Sequence, residues 1–226
     1  MVWIGLLLSC GVGAFLGMWM IPLADLLREN SEGYERIISR TPSAERRMRV
    51  FMACVGAGVF ALAWQRAGAS GLGALVWGGL ILWWTWLLFL AVLDARFRVL
   101  PVELLVVAGL IGFFLRWCVG GVPFHSLLLG GMVGLLFFGA QAWLSRGRLM
   151  GMGDPLMAMM IGLVVGWPIM ATVIYLSYML VIPLLFIQWI RVGTMRRVRW
   201  PFAPLLATGT ILASVVGERL VAYVVG

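Results

Sequence analysis

Residues 80–93 read LILWWTWLLFLAVL, contain no charged side chain and are followed at once by Asp94. Similar apolar runs recur along the chain of 226 residues, which is 63% hydrophobic and 12% charged. A transmembrane helix needs about 20 apolar residues, so this composition provides enough for about seven crossings. Soluble globular domains carry about 25% charged residues. The composition therefore indicates a polytopic membrane protein and excludes a soluble enzyme, a disordered chain and a disulfide scaffold.

The apolar runs and the polar breaks between them predict an all-α bundle of about eight transmembrane helices in a single domain, residues 1–226. The predicted helices cover residues 2–27, 50–65, 70–93, 100–117, 124–144, 155–167, 169–190 and 202–224. The first run begins at Val2 with no basic segment before it, so we expect no cleavable signal peptide.

Glycines recur at the small-xxx-small spacing that allows membrane helices to approach each other closely. The pairs are Gly13/Gly17, Gly130/Gly134 and Gly162/Gly166. We therefore predict close helix packing at these positions.

The basic residues are divided unevenly between the two sides of the predicted bundle. All 17 are arginine, and 14 of them lie in the four bends that follow the first, third, fifth and seventh helices. The positive-inside rule places these bends in the cytoplasm and both termini outside. The Arg/Glu-rich loop at 28–49 is then either a solvated topogenic loop or an amphipathic segment that contacts a substrate. Because topology explains the net charge of +8, we predict a lipid bilayer around the protein and no nucleic-acid partner.

The three cysteines give no indication of a metal site or a disulfide. Cys10, Cys54 and Cys118 are far apart, and none belongs to a CxxC motif or to a Cys/His set with metal-ligand spacing. We predict no metal and no cofactor.

Two acidic residues, Asp94 and Asp154, stand out from the nine in the sequence. Asp94 is predicted to end the third helix, where a negative charge opposes the helix dipole; an ion pair with Arg96 or Arg98 is the competing explanation. Asp154, followed by Pro155, fits an N-cap residue with proline at the first helical position. Two crossings separate the aspartates, so both lie at the cytoplasmic end of the predicted bundle and form a candidate functional site.

Facing carboxylates that are close and partly buried share one proton. The ionised member activates water as a general base while the protonated member polarises a carbonyl, which is the chemistry of aspartic proteases. Asp94 and Asp154 are therefore candidate catalytic residues. The alternatives are a small secondary transporter that uses the two aspartates to relay protons or bind a cation, and a non-catalytic assembly scaffold. Transport predicts acids near the midplane and a two-half repeat, and the sequence shows neither.

The sequence around these aspartates resembles the type IV prepilin peptidases, a family of GxGD intramembrane aspartic proteases. Gly151-Met152-Gly153-Asp154 matches the GxGD motif, and Asp94 followed by Ala-Arg-Phe-Arg-Val-Leu100-Pro101 is similar to the region of the family's first catalytic aspartate. Three further segments match in order. They are 13–16 (GAFL), which resembles GSFL; 162–167 (GLVVGW), which resembles GxxxGW; and 201–207 (PFAPLLA), which resembles PFGPFLA.

The resemblance implies an enzyme of the bacterial inner membrane that removes the leader of type IV prepilins or pseudopilins at the cytoplasmic face. It implies Asp94 and Asp154 as the catalytic dyad. Gly151 and Gly153 would position the substrate by letting its backbone approach Asp154. Larger family members carry paired CxxC motifs in the first cytoplasmic loop, which this chain lacks, so it resembles a short form without that metal-binding insertion.

Some positions depart from the family pattern. Larger members also methylate the new N-terminus with S-adenosylmethionine; the short loop, and Gly17 where the family usually has Asn, argue against that second activity. Leu156 replaces the usual Lys, and Val102 replaces an acid or amide that often follows Leu/Ile-Pro. The substitutions at Leu156 and Val102 remove polar or charged side chains near the two aspartates, so they concern the electrostatic surroundings of the dyad.

Overall fold

The computed structural model describes residues 9–20, 22, 46, 49–50, 52–61, 74–97, 100–147, 150–192 and 202–225. Within these ranges every regular element is a helix and no strand occurs, which confirms the predicted all-α fold for this part of the chain. The helices are α1 (Ser9–Met20), α2 (Met52–Ala61), α3 (Ala74–Phe97), α4 (Val102–Phe114), α5 (Phe124–Leu144), α6 (Gly153–Val165), α7 (Ile169–Val192) and α8 (Ala203–Val225). A π-helical turn, Leu115–Val119, extends α4.

Among the residues that the structure describes, four helical segments are long and apolar enough to cross a membrane. They are Gly78–Phe97, Val102–Val119, Phe124–Leu144 and Ile169–Ile187. Large apolar side chains remain uncovered on these helices, for example Ile111, which is 65% exposed, and Leu136, which is 64% exposed. Such surfaces suit lipid rather than water. The helices therefore support a multi-pass membrane protein, while the count of eight crossings and the location of the termini remain predictions.

The helices belong to two compact units. These are Met1–Trp77 and Gly78–Gly226. Within the first unit, Gly13 lies against the backbone of Gly56, and Gly17 lies against the backbone of Met52. Added Cβ atoms at these glycines would overlap with main-chain atoms of α2, so the first small-xxx-small pair supports a close contact of α1 with α2. The predicted loop at 28–49 lies almost entirely outside the described residues.

Within the second unit, α5 and α6 approach each other through the two remaining glycine pairs. A Cβ atom at Gly130 would lie 2.5 Å from the carbonyl oxygen of Gly162, and one at Gly134 would lie 2.5 Å from that of Ala158. Real Cβ atoms essentially never come this close to a neighbour. The predicted close packing is therefore present, and it fixes α6 against α5.

The turn between α6 and α7 is held by the first turn of α5. Gly166, the C-cap of α6, has a φ of 74°, a left-handed value that favours glycine, and the Trp167–Pro168 peptide bond is cis. Ser126 Oγ donates a hydrogen bond to the Trp167 carbonyl oxygen at 2.6 Å. The Trp167 N–H donates to the Ser126 carbonyl oxygen at 2.9 Å. Because of this turn, α6 ends two residues before its predicted end at 167.

Two helix boundaries differ from the prediction and change the setting of the aspartates. α3 continues to Phe97, so Asp94 lies inside its last turn instead of at its end. The helix outlasts its apolar run because Ala and Arg are good helix formers. α6 begins at Gly153, and Met152 is its N-cap without a side-chain cap bond, so the predicted N-cap role of Asp154 is wrong. Proline is tolerated at any position of a first turn, because the N–H groups there lack intrahelical acceptors. Pro155 therefore indicated correctly that a helix begins nearby, but it is the third residue of α6 and not the first.

Gly130→Ala is expected to lower the melting temperature of the protein in detergent, because the added Cβ would overlap with the α6 main chain. Overpacking of this kind costs about 1–3 kcal/mol of stability. Gly139→Ala in the same helix is the matched control, since a Cβ there meets no atom within 4 Å. Equal melting temperatures for the two variants, measured by the loss of helical circular dichroism, would contradict the close approach of α5 and α6.

Candidate active site

The two predicted catalytic aspartates lie close together inside the second unit. Asp94 on α3 is 8% exposed and Asp154 on α6 is 5% exposed. The negative charge of Asp94 acts on the Asp154 carboxyl group, so the two side chains lie within electrostatic reach of each other. The structure thus brings together two carboxyl groups that are 60 positions apart in the sequence.

The Asp94 carboxylate is held by the beginning of a different helix. Its Oδ2 accepts a hydrogen bond from the Ala203 N–H, the first of α8, at 3.3 Å. Pro204 has no N–H, and the next two N–H groups of α8 donate to the Phe202 carbonyl oxygen. The Ala203 N–H is therefore the first-turn donor left for Asp94. Because a helix N-terminus is partially positive, it compensates for the unfavourable position of Asp94 in the last turn of α3.

The Asp154 side chain turns back toward the glycine-containing segment that precedes α6. Its Oδ2 accepts a hydrogen bond from the Gly151 N–H at 3.0 Å. The Asp154 N–H donates in return to the Gly151 carbonyl oxygen at 3.3 Å. An N-cap carboxylate would instead accept from N–H groups inside its own helix. These two bonds fix Asp154 against the GxGD segment.

The surroundings of Asp154 favour its protonated form. Asp154 lies in the first turn of α6, outside the four segments long enough to cross a membrane. Burial raises the pKa of Asp154 to about 7; the charge of Asp94 also raises it, while the hydrogen bond from Gly151 acts in the opposite direction. A carboxyl group with this pKa retains its proton for part of the time at neutral pH. The pair can therefore hold one protonated and one ionised carboxyl group.

The two glycines of the GxGD segment have different surroundings. A Cβ atom at Gly153 would lie 3.2 Å from both Cβ and Cδ1 of Leu100, which is tighter than most real Cβ contacts. A Cβ atom at Gly151 would meet only Asp154 Oδ2, at an ordinary 3.5 Å. Neither glycine has a positive φ, so neither is required by a left-handed backbone. Gly153 allows the segment after α3 to pack on α6, while Gly151 is exposed.

Aromatic residues surround the beginning of α8. The Phe202 ring centroid lies 5.4 Å from that of Phe138 and 6.0 Å from that of Tyr178. Phe138 and Tyr178 are stacked, with 9° between the ring planes, and the Tyr178 hydroxyl donates a hydrogen bond to Gln141 Oε1. These residues were not predicted from the sequence to belong to the site. The only sequence signal was the matched segment 201–207, which contains Phe202 and gives no indication of what Phe202 contacts.

Residues 80–186 match the family model described as the type IV leader peptidase family. The matched segment contains both aspartates and the complete GxGD motif. No curated protein and no solved structure gives a significant match to the chain.

Gly153→Val is expected to lower the melting temperature, because the valine side chain must displace Leu100. For a protein of this size, each kcal/mol lost lowers the melting temperature by about 2–4 °C. Combining Gly153→Val with Leu100→Ala removes Cδ1 and Cγ of Leu100, two of the three obstructing atoms, and leaves its Cβ. The double variant should therefore be more stable than the sum of the two single changes predicts. Gly151→Val is the matched control at an exposed position. If the decreases in melting temperature caused by Gly153→Val and Leu100→Ala simply add in the double variant, packing on Leu100 is not the reason for glycine at position 153.

Proposed function

We propose that this chain, whose residues 80–186 match the type IV leader peptidase family, is an intramembrane aspartic endopeptidase. In this proposal it removes the leader peptide of type IV prepilins or pseudopilins at the cytoplasmic face of the bacterial inner membrane. The observation that carries the proposal is the pair of buried, electrostatically interacting carboxyl groups of Asp94 and Asp154. Two such groups are sufficient to hydrolyse a peptide bond without a metal or a nucleophilic side chain.

The proposed roles of the two aspartates differ because their surroundings differ. Asp94 accepts a hydrogen bond from the positive end of α8, which stabilises a negative charge, so it is the general base. Asp154, buried and with a pKa of about 7, is the member that carries the proton. Asp94 removes a proton from water as the water oxygen attacks the scissile carbonyl carbon, and Asp154 gives its proton to the carbonyl oxygen.

The resulting tetrahedral intermediate breaks its C–N bond in the second half of the reaction. Asp154 takes back the proton from the hydroxyl group as the C=O bond forms, and Asp94 transfers the proton from water to the leaving nitrogen. One peptide bond and one water molecule thus become a carboxylic acid and an amine. Both aspartates return to their starting protonation states, so the dyad is ready for another cycle.

The exposed side of the GxGD segment gives a substrate access to Asp154. Gly151 is exposed, and Met152 beside it is 78% exposed. In the proposal an extended substrate backbone approaches Asp154 along this side, because no Cβ at position 151 obstructs it. Gly153 contributes to substrate positioning indirectly, by letting Leu100 pack on the first turn of α6.

Methylation of the new N-terminus is not part of the proposed function. Gly17, where the family usually has Asn, lies against the backbone of Met52 in the first unit. An Asn side chain would not fit there unless α1 and α2 moved apart. The match to the leader peptidase family gives no support to the transporter alternative, so the peptidase is the only function proposed.

Asp94→Asn and Asp154→Asn are each expected to lower the rate of prepilin leader cleavage by roughly two to four orders of magnitude, since each removes one proton-transfer group. The measurement is cleavage of a co-expressed prepilin at matched membrane levels of each variant. Glu103→Gln is the control, because Glu103 is an exposed acid in the first turn of α4. Near-normal cleavage by either Asn variant would remove that aspartate from the mechanism.

The pH dependence follows from the roles assigned to the two aspartates. As the pH rises above about 7, Asp154 loses its proton and can no longer donate to the carbonyl oxygen, so kcat should fall. We expect a decrease of about ten-fold per pH unit above the pKa, measured on purified enzyme with saturating prepilin. A kcat that rises steadily from pH 6 to pH 9 would contradict the assignment of the proton to Asp154.

A further inference from the structure

A series of contacts connects α5 with the Asp94 carboxylate, and it begins at Gln141. Gln141 Nε2 donates a hydrogen bond to the carbonyl oxygen of Phe137 in its own helix at 3.3 Å. This bond orients the amide so that Oε1 is directed toward α7, where it accepts the hydrogen bond from the Tyr178 hydroxyl. The Tyr178 side chain is therefore tied to α5 as well as to its own helix.

The second link joins the Tyr178 ring to the residue that precedes α8. Tyr178 and the fully buried Phe138 both contact the Phe202 ring. The Phe202 carbonyl oxygen accepts the first two hydrogen bonds of α8, from Leu205 and Leu206, each at 3.0 Å. The position of Phe202 therefore determines where the first turn of α8 lies. It also determines the direction of the Ala203 N–H, which donates to Asp94.

The third link is the hydrogen bond from Ala203 to Asp94. Because Pro204 offers no N–H, a rotation of the first turn cannot present a neighbouring donor to Asp94 in place of the Ala203 N–H. The link between Asp94 and α8 therefore depends on this one backbone N–H, and the direction of that N–H depends on where the aromatic rings hold Phe202.

We propose that Tyr178 is a positioning residue for Asp94, acting through Phe202 and the first turn of α8. This inference rests on the proposed function, since it assigns to Tyr178 the task of holding a catalytic carboxylate in place. Tyr178 does not touch the reacting atoms. Its hydroxyl fixes the ring by bonding to Gln141, and the ring fixes Phe202.

The test compares two tyrosine-to-phenylalanine changes in the same helix. Tyr178→Phe removes the hydroxyl that bonds to Gln141 and keeps the ring. Tyr175→Phe makes the same chemical change one turn earlier, at a side chain that is 59% exposed. We expect Tyr178→Phe to lower kcat for leader cleavage on the order of ten-fold with KM unchanged, because displacing a catalytic group slightly slows chemistry without weakening substrate binding. Tyr175→Phe should keep both constants near their wild-type values.

A second measurement reports on α8 directly and needs no activity. Hydrogen–deuterium exchange of a peptide covering 202–207 should be faster in Tyr178→Phe than in wild type, by roughly three-fold, and unchanged in Tyr175→Phe. Gln141→Leu should reproduce both effects of Tyr178→Phe, and the double variant should add nothing further, since the two side chains form one hydrogen bond.

The outcomes separate this inference from the proposed function. If the wild-type protein cleaves no prepilin, the proposed function fails, and exchange alone then decides whether Tyr178 holds the start of α8. If wild type cleaves and Tyr178→Phe leaves kcat unchanged, the positioning role is overturned whatever the exchange shows. An increase of KM alone, or equal effects of Tyr175→Phe and Tyr178→Phe, would also overturn it.

Discussion

A carboxylate buried at the end of a helix needs a donor from elsewhere, and this requirement links the elements of the second unit. Asp94 lies in the last turn of α3, where the helix dipole opposes its charge, and burial adds a further cost. The Ala203 N–H at the beginning of α8 donates a hydrogen bond to Asp94 and so helps to offset both effects. α5 and α7 are connected to the same bond through the aromatic contacts of Phe202. The packing of α8 on its neighbours therefore holds the Ala203 N–H where it can stabilise the negative charge of Asp94 on α3.

The two aspartates are positioned by different parts of the structure. Asp154 is carried by α6, which is held against α5 by glycine contacts such as that of Gly130 with Gly162. Asp94 is held by α8, whose start is held by rings on α5 and α7. α5 takes part in both groups of contacts, through Gly130 and through Phe138. Both carboxyl groups are therefore positioned relative to α5. The two carboxyl groups, whose ionised forms would repel each other, are each held through contacts that do not involve the other.

Features that depend on local sequence could be predicted, and features that depend on distant backbone atoms could not. The predicted bounds of the fifth helix, 124–144, are those of α5, because Pro123 precedes it and Gly147, with a positive φ, follows it. The glycine pairs were found because their spacing is local. The contact of Asp94 with Ala203 joins residues 109 positions apart through a main-chain N–H, which every non-proline residue has, so no residue type reveals it. The end of α3 was misplaced because an apolar run shows where lipid or core contact stops and not where helical hydrogen bonding stops.

The length of α6 has a consequence for the proposed access of a substrate to Asp154. The helix has 13 residues, or about 20 Å, whereas the hydrocarbon layer of a bilayer is about 30 Å thick. The end of α6 opposite Asp154 is fixed by the hydrogen bond from Arg116 Nε to the Val164 carbonyl oxygen and by the turn bound to Ser126. If α6 crosses the bilayer, as the sequence predicts, this difference of about 10 Å would be met by local thinning of the bilayer or by water beside the helix. In the proposed peptidase, the acyl-chain length of the surrounding lipids would then help to set how deep a scissile peptide bond must descend before it meets the carboxyl groups.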